Sequence, residues 1–180
     1  NLVNILLMIT SSISTSGINL HSSNLNLSLM LILLTMVGGS VFSTSSGFKF
    51  LRIYVLFKSS LNEMYKLTKP INVFNRTLFK SDYKILDEDV KISFLIFIFF
   101  IFNIFVLSGL LTINNINFEH SFKLSILTLT NTVTSGMFGI YDLNFYELDN
   151  FPKISLMIFM ILGKLELVAI FMLIKKFILR

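Results

Sequence analysis

GGSVFSTSSGFKFLR, Gly38 to Arg52, interrupts what would otherwise be one continuous hydrophobic span. The apolar run LSLMLILLTMV, Leu27 to Val37, leads into it, and FKFLRIYVLF, Phe48 to Phe57, resumes after it. Eleven residues at about 1.5 Å each reach roughly half of a hydrocarbon core of about 30 Å. The first run is therefore too short to cross alone, and the second supplies the missing length. Backbone that is not helical persists at membrane depth only where it is buried in protein or lines water. A Gly/Ser/Thr loop inside a span thus reads either as a kink with tight small-residue packing or as a piece of a conduit. Lys49 and Arg52 fall where long basic side chains snorkel to an interface.

The composition agrees with a bilayer. The chain has 180 residues, 54% hydrophobic and 14% charged, with a mean hydropathy of +0.78. Soluble domains carry about 25% charged residues. There is no cysteine, which excludes disulfides and thiolate metal sites, and only His21 and His120 represent histidine. The first residue is Asn and no basic n-region precedes the first apolar stretch, so a further N-terminal part is expected. The net charge of +5 is uneven. Lys49, Arg52, Lys58, Lys66, Lys69, Arg76, Lys80 and Lys84 face only Glu63 and Asp82 in the same stretch. Beside membrane spans this is the signature of a cytoplasmic loop rather than of a nucleic-acid surface.

Two further spans are legible. ISFLIFIFFIFNIFVLSGLL, 92–111, is twenty residues without a charge, preceded by Asp87, Glu88 and Asp89, which suit a helix N-terminus. ISLMIFMILGKLELVAIFMLI, 154–174, follows Pro152 and carries Lys164 and Glu166 in its middle. Between them lies FKLSILTLT, Phe122 to Thr130, too short to cross and suited to a re-entrant half-helix over 122–131. Glu119 and His120 are expected to precede and cap it. It runs into TVTSG, Thr132 to Gly136. The N-terminus, NLVNILLMITSSISTSG, repeats the arrangement: a short apolar stretch, a hydroxyl-rich turn, a glycine, a linker and a long span. Gly17 and Gly136 correspond in this weak internal repeat.

The chemistry of such turns suits a monovalent cation. An extended hydroxyl-rich segment aims successive carbonyl oxygens along one line, where they replace a hydration shell. Glycine tolerates the required backbone, and the C-terminal pole of the preceding half-helix favours positive charge. Lys164 is the other pointed residue, because a mid-membrane charge costs about 2.5–3.5 kcal/mol on insertion scales. Glu166, two residues on, points to nearly the opposite side of the helix.

These features together resemble the TrkH/KtrB family of potassium transport subunits, within the Trk/Ktr/HKT superfamily. GGSVFSTSSGFKFLR with its linker, STSGI, TVTSGMFG and GKLE carry the resemblance. It implies an all-α membrane protein of span–re-entrant pore loop–span repeats, a potassium-channel-like transporter of which this is a partial chain. Residues 1–79 then correspond to the end of a third repeat and 80–180 to a fourth. The resemblance assigns an ion filter to Ser14, Thr15, Ser16 and Gly17 and to Thr132, Val133, Thr134, Ser135 and Gly136, with K⁺ held there as the transported ion and no other cofactor. It makes 38–49 an intramembrane gating loop, through Gly38, Gly39, Ser40, Ser43, Thr44, Ser45, Ser46 and Gly47. Lys164 stands where the family commonly has a pore-facing arginine, and Glu166 becomes a helix-packing polar residue. Two departures stand out. Ser46-Gly47 occupies a place where Gly-Gly is common, and fourth-repeat members often have glycine near Thr134 and Ser135. The expected partners are membrane lipid, a second copy in a homodimer and a cytosolic nucleotide-binding regulatory subunit meeting the basic linker, with no nucleic acid. The expected location is a bacterial inner (plasma) membrane, in multi-pass form.

No phosphate-binding loop, HExxH, CxxC or catalytic triad pattern is present, so no enzyme is expected. Asp142, Glu147 and Asp149 read as a solvated loop or a cation-concentrating pore mouth. The competing reading is a helical membrane scaffold with no transport of its own, in which the glycine-containing loops are packing features. A third is a truncated product unable to conduct alone.

Overall fold

In a computed structural model of the chain, residues 2–17, 28–39, 46–68, 85–132, 140, 145–146 and 148–164 are described. The longest element sets the frame. Helix α4 runs Asp87–Ile113, 27 residues, or about 40 Å. It begins one turn before the apolar stretch, because the acidic residues join its first turn. The Leu86 N–H donates to Asp89 Oδ2 at 3.1 Å, satisfying one of the donors a helix start leaves open. Ser93, Ile96, Phe100, Asn103, Ile104, Leu107, Ser108 and Leu111 form its buried stripe, at the three-and-four spacing of one helix face. Ile92, Phe94, Leu95, Ile98, Phe102 and Phe105 are exposed on the remainder. A helix that buries Ser93, Asn103 and Ser108 while exposing a run of Ile, Leu and Phe would aggregate in water; in lipid the outer face is solvated.

The other elements pack around that stripe. Helix α1 is Leu2–Ser14, α2 is Ser28–Met36 and α3 is Phe50–Thr68. Helix α5 is Phe118–Leu129 and α6 is Asn150–Lys164. Helix α4 lies against α3, α5 and α6; α5 also meets α2 and α6, and α1 meets α2. Leu107, Leu111, Leu124 and Leu127 are fully buried where α4 and α5 meet, and Met8, Leu31, Ile32, Leu156 and Phe159 complete one core.

The interruption read from Gly38 to Arg52 is present and has a defined form. Helix α2 stops at Met36 after nine residues, about 13 Å. Strands β1 (Val37–Gly38) and β2 (Phe48–Lys49) then pair in parallel, Val37 with Phe48 and Gly38 with Lys49. The Phe50 N–H donates to the Gly39 carbonyl at 3.2 Å. Phe48 and Lys49 are thus extended rather than the start of the second helical half. Parallel pairing means the chain leaves the loop travelling in the direction in which it entered. Phe48 anchors the exit against α4, with its ring 5.5 Å from that of Phe97, edge to face, and 6.5 Å from Phe100.

Several boundaries differ from the sequence reading. Helix α3 continues to Thr68, so the first part of the basic linker is helical. Lys66 pairs with Glu63 at 3.0 Å, and Lys58 sits 5.5 Å from the Tyr54 ring centroid. These are one-turn neighbours of the kind that extends a helix into solvent. Helix α5 starts at Phe118, not Phe122, so Glu119 and His120 lie inside its first turn and Asn117 occupies the N-cap. Glu119 bonds Lys123 one turn on instead of capping the backbone. Helix α6 starts at Asn150, which makes Pro152 its third residue, where a missing N–H costs no helical bond.

Candidate functional site

Two helix ends share one geometry. At the end of α1 the Thr15 N–H donates to the Ser12 carbonyl (3.4 Å) and the Ser16 N–H to that of Ser11 (3.2 Å). At the end of α5 the Asn131 N–H donates to the Thr128 carbonyl (3.0 Å) and the Thr132 N–H to that of Leu127 (2.9 Å). Each pair is the double bond of a Schellman cap, which needs a left-handed residue at its centre. Thr15 has φ +51° and Asn131 φ +55°. Neither is glycine, the usual occupant.

The side chains repeat as well. Ser12 Oγ donates to the Met8 carbonyl at 2.8 Å, and Thr128 Oγ1 to that of Leu124 at 2.6 Å. Ser14 Oγ bonds back to Ser11 (3.4 Å), and Thr130 Oγ1 to Leu127 (3.2 Å) and Ile126 (2.9 Å). The internal repeat is thus visible in the backbone, with its register fixed by the caps. Thr15 matches Asn131 and Ser16 matches Thr132; the pairing of Gly17 with Gly136 falls on a residue outside the described ones. Ser14 belongs to the last turn of α1; Thr15, Ser16 and Gly17, the last at φ +69°, follow it. Thr132 is buried, and its hydroxyl lies 2.8 Å from that of Thr130. Val133, Thr134, Ser135 and Gly136 lie outside the described residues.

Helix α5 is buried along most of its length: Leu124 to Leu129 are all inaccessible. Ser121 and Ser125 on the same helix are fully buried too. Their hydroxyls donate to the carbonyls of Ile116 (3.2 Å) and Ser121 (2.6 Å), so local bonds offset their desolvation. Twelve residues reach about 18 Å, so a helix encased this way stops partway through an apolar layer of about 30 Å.

The base of the interrupting loop touches both repeats. Helix α1 contacts β1. At the other side Asn131 Nδ2 donates to Ser46 Oγ at 2.9 Å and to the Met160 carbonyl of α6 at 3.0 Å. Gly38 and Gly47 serve close approach. A Cβ on Gly38 would lie 2.8 Å from the Ser46 carbonyl oxygen, and one on Gly47 (φ +93°) would lie 3.1 Å from that of Thr35. Gly39 accepts the closing bond from Phe50. Ser40, Ser43, Thr44 and Ser45 lie outside the described residues, as do Glu166, His21, Asp142 and Glu147. Lys164 ends the described part of α6; it is exposed and pairs with no carboxylate among the described residues. Next to it, Gly163 lets α6 touch the backbone of Leu129: a Cβ there would stand 2.8 Å from the Leu129 carbonyl carbon and closer still to its oxygen.

Asn131 and Met160 escaped the sequence reading, and Gly163 entered it only as part of GKLE, with no role of its own. Asn131 had a signal, since asparagine directly after a helix is a common left-handed cap. The roles of Gly163 and Met160 had none, because they act through contacts to α5 that only the fold brings about.

Span, buried half-helix ending in a left-handed cap, then span: this arrangement defines a membrane protein of the pore-loop type. No family model matches the chain. It is 31% identical over 151 residues to the Trk system potassium uptake protein TrkG of Escherichia coli (strain K12), covering 82% of this chain and 30% of that protein. It superposes on the crystal structure of the potassium transporter TrkH from Vibrio parahaemolyticus with a TM-score of 0.71 at 23% identity, covering 83% of this chain and 31% of that one. The chain belongs to the Trk/TrkH family and spans about a third of the length of these relatives.

Proposed function

We propose that this chain forms part of the pore of a potassium transporter, contributing two of the filter segments and the loop that gates them. The observation that carries this reading is the pair of matching caps at Thr15 and Asn131, one at each half-helix end, with Ser46 at the end of the interrupting loop bonded to Asn131. Each half-helix directs its negative pole to the place where its hydroxyl-rich turn begins, and such a pole favours a cation. Residues 15–17 and 132–136 supply the carbonyl oxygens that replace water around K⁺. The loop 38–49, with its small side chains, lies beneath them and closes the path. Lys164 places a fixed positive charge near the same path, competing with the permeant ion, and Glu166 holds its helix to a neighbour. Potassium uptake by TrkG and transport by TrkH, as those proteins are described, support the choice of ion.

On this reading the protein sits in the bacterial inner membrane in multi-pass form. It pairs as a homodimer, and the basic residues from Lys58 onward meet a nucleotide-binding regulatory subunit. The test is growth at low K⁺ of an uptake-deficient bacterial strain carrying the complete gene product. Wild type is expected to restore growth and Gly136→Asp, present at equal level in the membrane, to abolish it. Rescue by both variants would remove the filter role of 132–136, and failure of a well-expressed wild type would favour a scaffold.

A further inference from the structure

Two grooves run along the exposed face of α4 and share one ridge. The first, about 450 Å³ in volume, is walled by Lys91, Phe94, Leu95, Ile98, Phe99 and Phe102. The second, about 470 Å³, lies between α3 and α4, with Leu56 and Phe57 on one wall and Val90, Phe94 and Phe97 on the other. Phe94 lines both, so its ring stands between them. Phe48, just before α3, meets Phe97, so α3 runs antiparallel to α4 and brings Ser60 and Glu63 to the Val90 end of the second groove. Both grooves therefore open at the level of Val90 and Lys91, where the charge-free stretch of α4 begins. From Lys91 to Phe102 the first groove runs about 16 Å, the depth of one leaflet of a core of about 30 Å. At its mouth Glu88 and Lys91 stand one turn apart, both exposed, and neither has a partner among the described residues.

We propose that this face of α4 binds one diacyl phospholipid whose head carries a primary amine, with one chain in each groove and Phe94 between them. The Lys91 ammonium donates to the head phosphate, and the head amine donates to the Glu88 carboxylate. Residues three apart on a helix are about 5–6 Å apart at Cβ, a span that a phosphate and an ammonium joined by two carbons bridge. A choline head has no N–H to donate to Glu88, and a glycerol head has no positive charge to attract it. The competing occupant is a helix, from elsewhere in the complete chain or from a second copy. A helix seats its ridge in one groove and is held off the other by Phe94, whereas two flexible chains fill both. The proposal rests on the membrane placement of α4 and not on potassium conduction.

Two measurements on the complete gene product test it. Ile98→p-benzoylphenylalanine, illuminated in the membrane, reports what occupies the first groove. A lipid adduct is expected; an adduct to another segment of the chain or to a second copy would overturn the proposal. Native mass spectrometry from mild detergent then compares phosphatidylethanolamine, phosphatidylcholine and phosphatidylglycerol with the same acyl chains. Wild type is expected to hold phosphatidylethanolamine about fivefold tighter than the other two, the ratio that one exposed ion pair of about 1 kcal/mol gives. Glu88→Gln is expected to erase that ratio, and Lys91→Gln to weaken all three lipids about fivefold. Equal binding of the three by wild type, or an undiminished preference in Glu88→Gln, would overturn the proposal. Both head-group variants change exposed side chains without described partners, so folding is expected to survive them. A wild type that keeps the lipid preference but carries no K⁺ would refute the pore reading alone.

Discussion

Gly163→Ala adds one methyl group where α6 closes directly on the backbone of α5, and its cost can be worked from the geometry. The new carbon would sit 2.8 Å from the Leu129 carbonyl carbon and 3.0 Å from its Cα, with the carbonyl oxygen nearer still. All three obstacles are backbone, so no side-chain rotation relieves them. Leu129 is buried and ends α5, so α5 and α6 must separate. Overpacking of a tight core costs about 1–3 kcal/mol, and a backbone obstacle belongs at or above the upper end. Alanine returns about 1 kcal/mol of helix propensity. The net cost is therefore about 2 kcal/mol or more. Gly109→Ala is the matched control: it lies in α4 with nothing within 4 Å of its added carbon. It keeps the propensity gain of about 1 kcal/mol and meets no obstacle. The assay is thermal aggregation of the complete gene product in detergent, with membrane level measured in parallel. Gly163→Ala should melt well below wild type and Gly109→Ala at or above it. Equal stability of the two variants would refute the α5–α6 contact as described, and with it the placing of the half-helix end against α6.

Other expectations follow from single contacts. Gly47→Ala combines a left-handed φ of +93° with carbonyl oxygens 3.1 and 3.2 Å from the new carbon, so it should destabilise by about 2 kcal/mol or more, read as lost membrane level or lost K⁺ uptake. Ser125→Ala should stay within about 1 kcal/mol of wild type in the same melting assay, because among the described residues the hydroxyl bonds within its own helix; a larger loss would point to a partner beyond α5. The Glu119 carboxyl is held below its ordinary value of 4.5 by the hydrogen bond and charge of Lys123. Its folded pKa lies under its unfolded one, so its contribution is present at neutral pH and is lost as pH falls through the folded value. Glu119→Gln should flatten that part of the acid melting profile, and an unchanged profile would discount the pair.

The span at 92–111, the broken helix and the short buried helix were legible because apolar length and small-residue interruption are local properties; residues 165–174 of the last expected span lie outside the described residues. Ile92 to Leu111 announced α4, and GGSVFSTSSGFK announced the interruption between α2 and α3. The limits of the elements were less legible where polar residues extend a helix. Asp87 to Asp89 became its first turn, Glu119 and His120 entered α5 instead of preceding it, and Lys58 to Lys66 continued α3 through one-turn pairs. The left-handed caps left little trace in the sequence, because Thr15 and Asn131 rather than glycine occupy them. The links that build the site, Asn131 to Ser46 and Gly163 to Leu129, join residues far apart in sequence and left no periodic trace.

The parallel clamp at the base of the interrupting loop has a mechanical consequence. Val37 and Gly38 are stitched to Phe48 and Lys49, and Gly39 receives Phe50. Tension along the chain from α2 to α3 therefore runs through this stitch and bypasses the residues between. Insertions or deletions between Gly39 and Ser46 are accordingly expected to leave the register of both helices intact, whereas a single residue added between Phe48 and Phe50 would turn every side chain of α3 by about 100° about its axis.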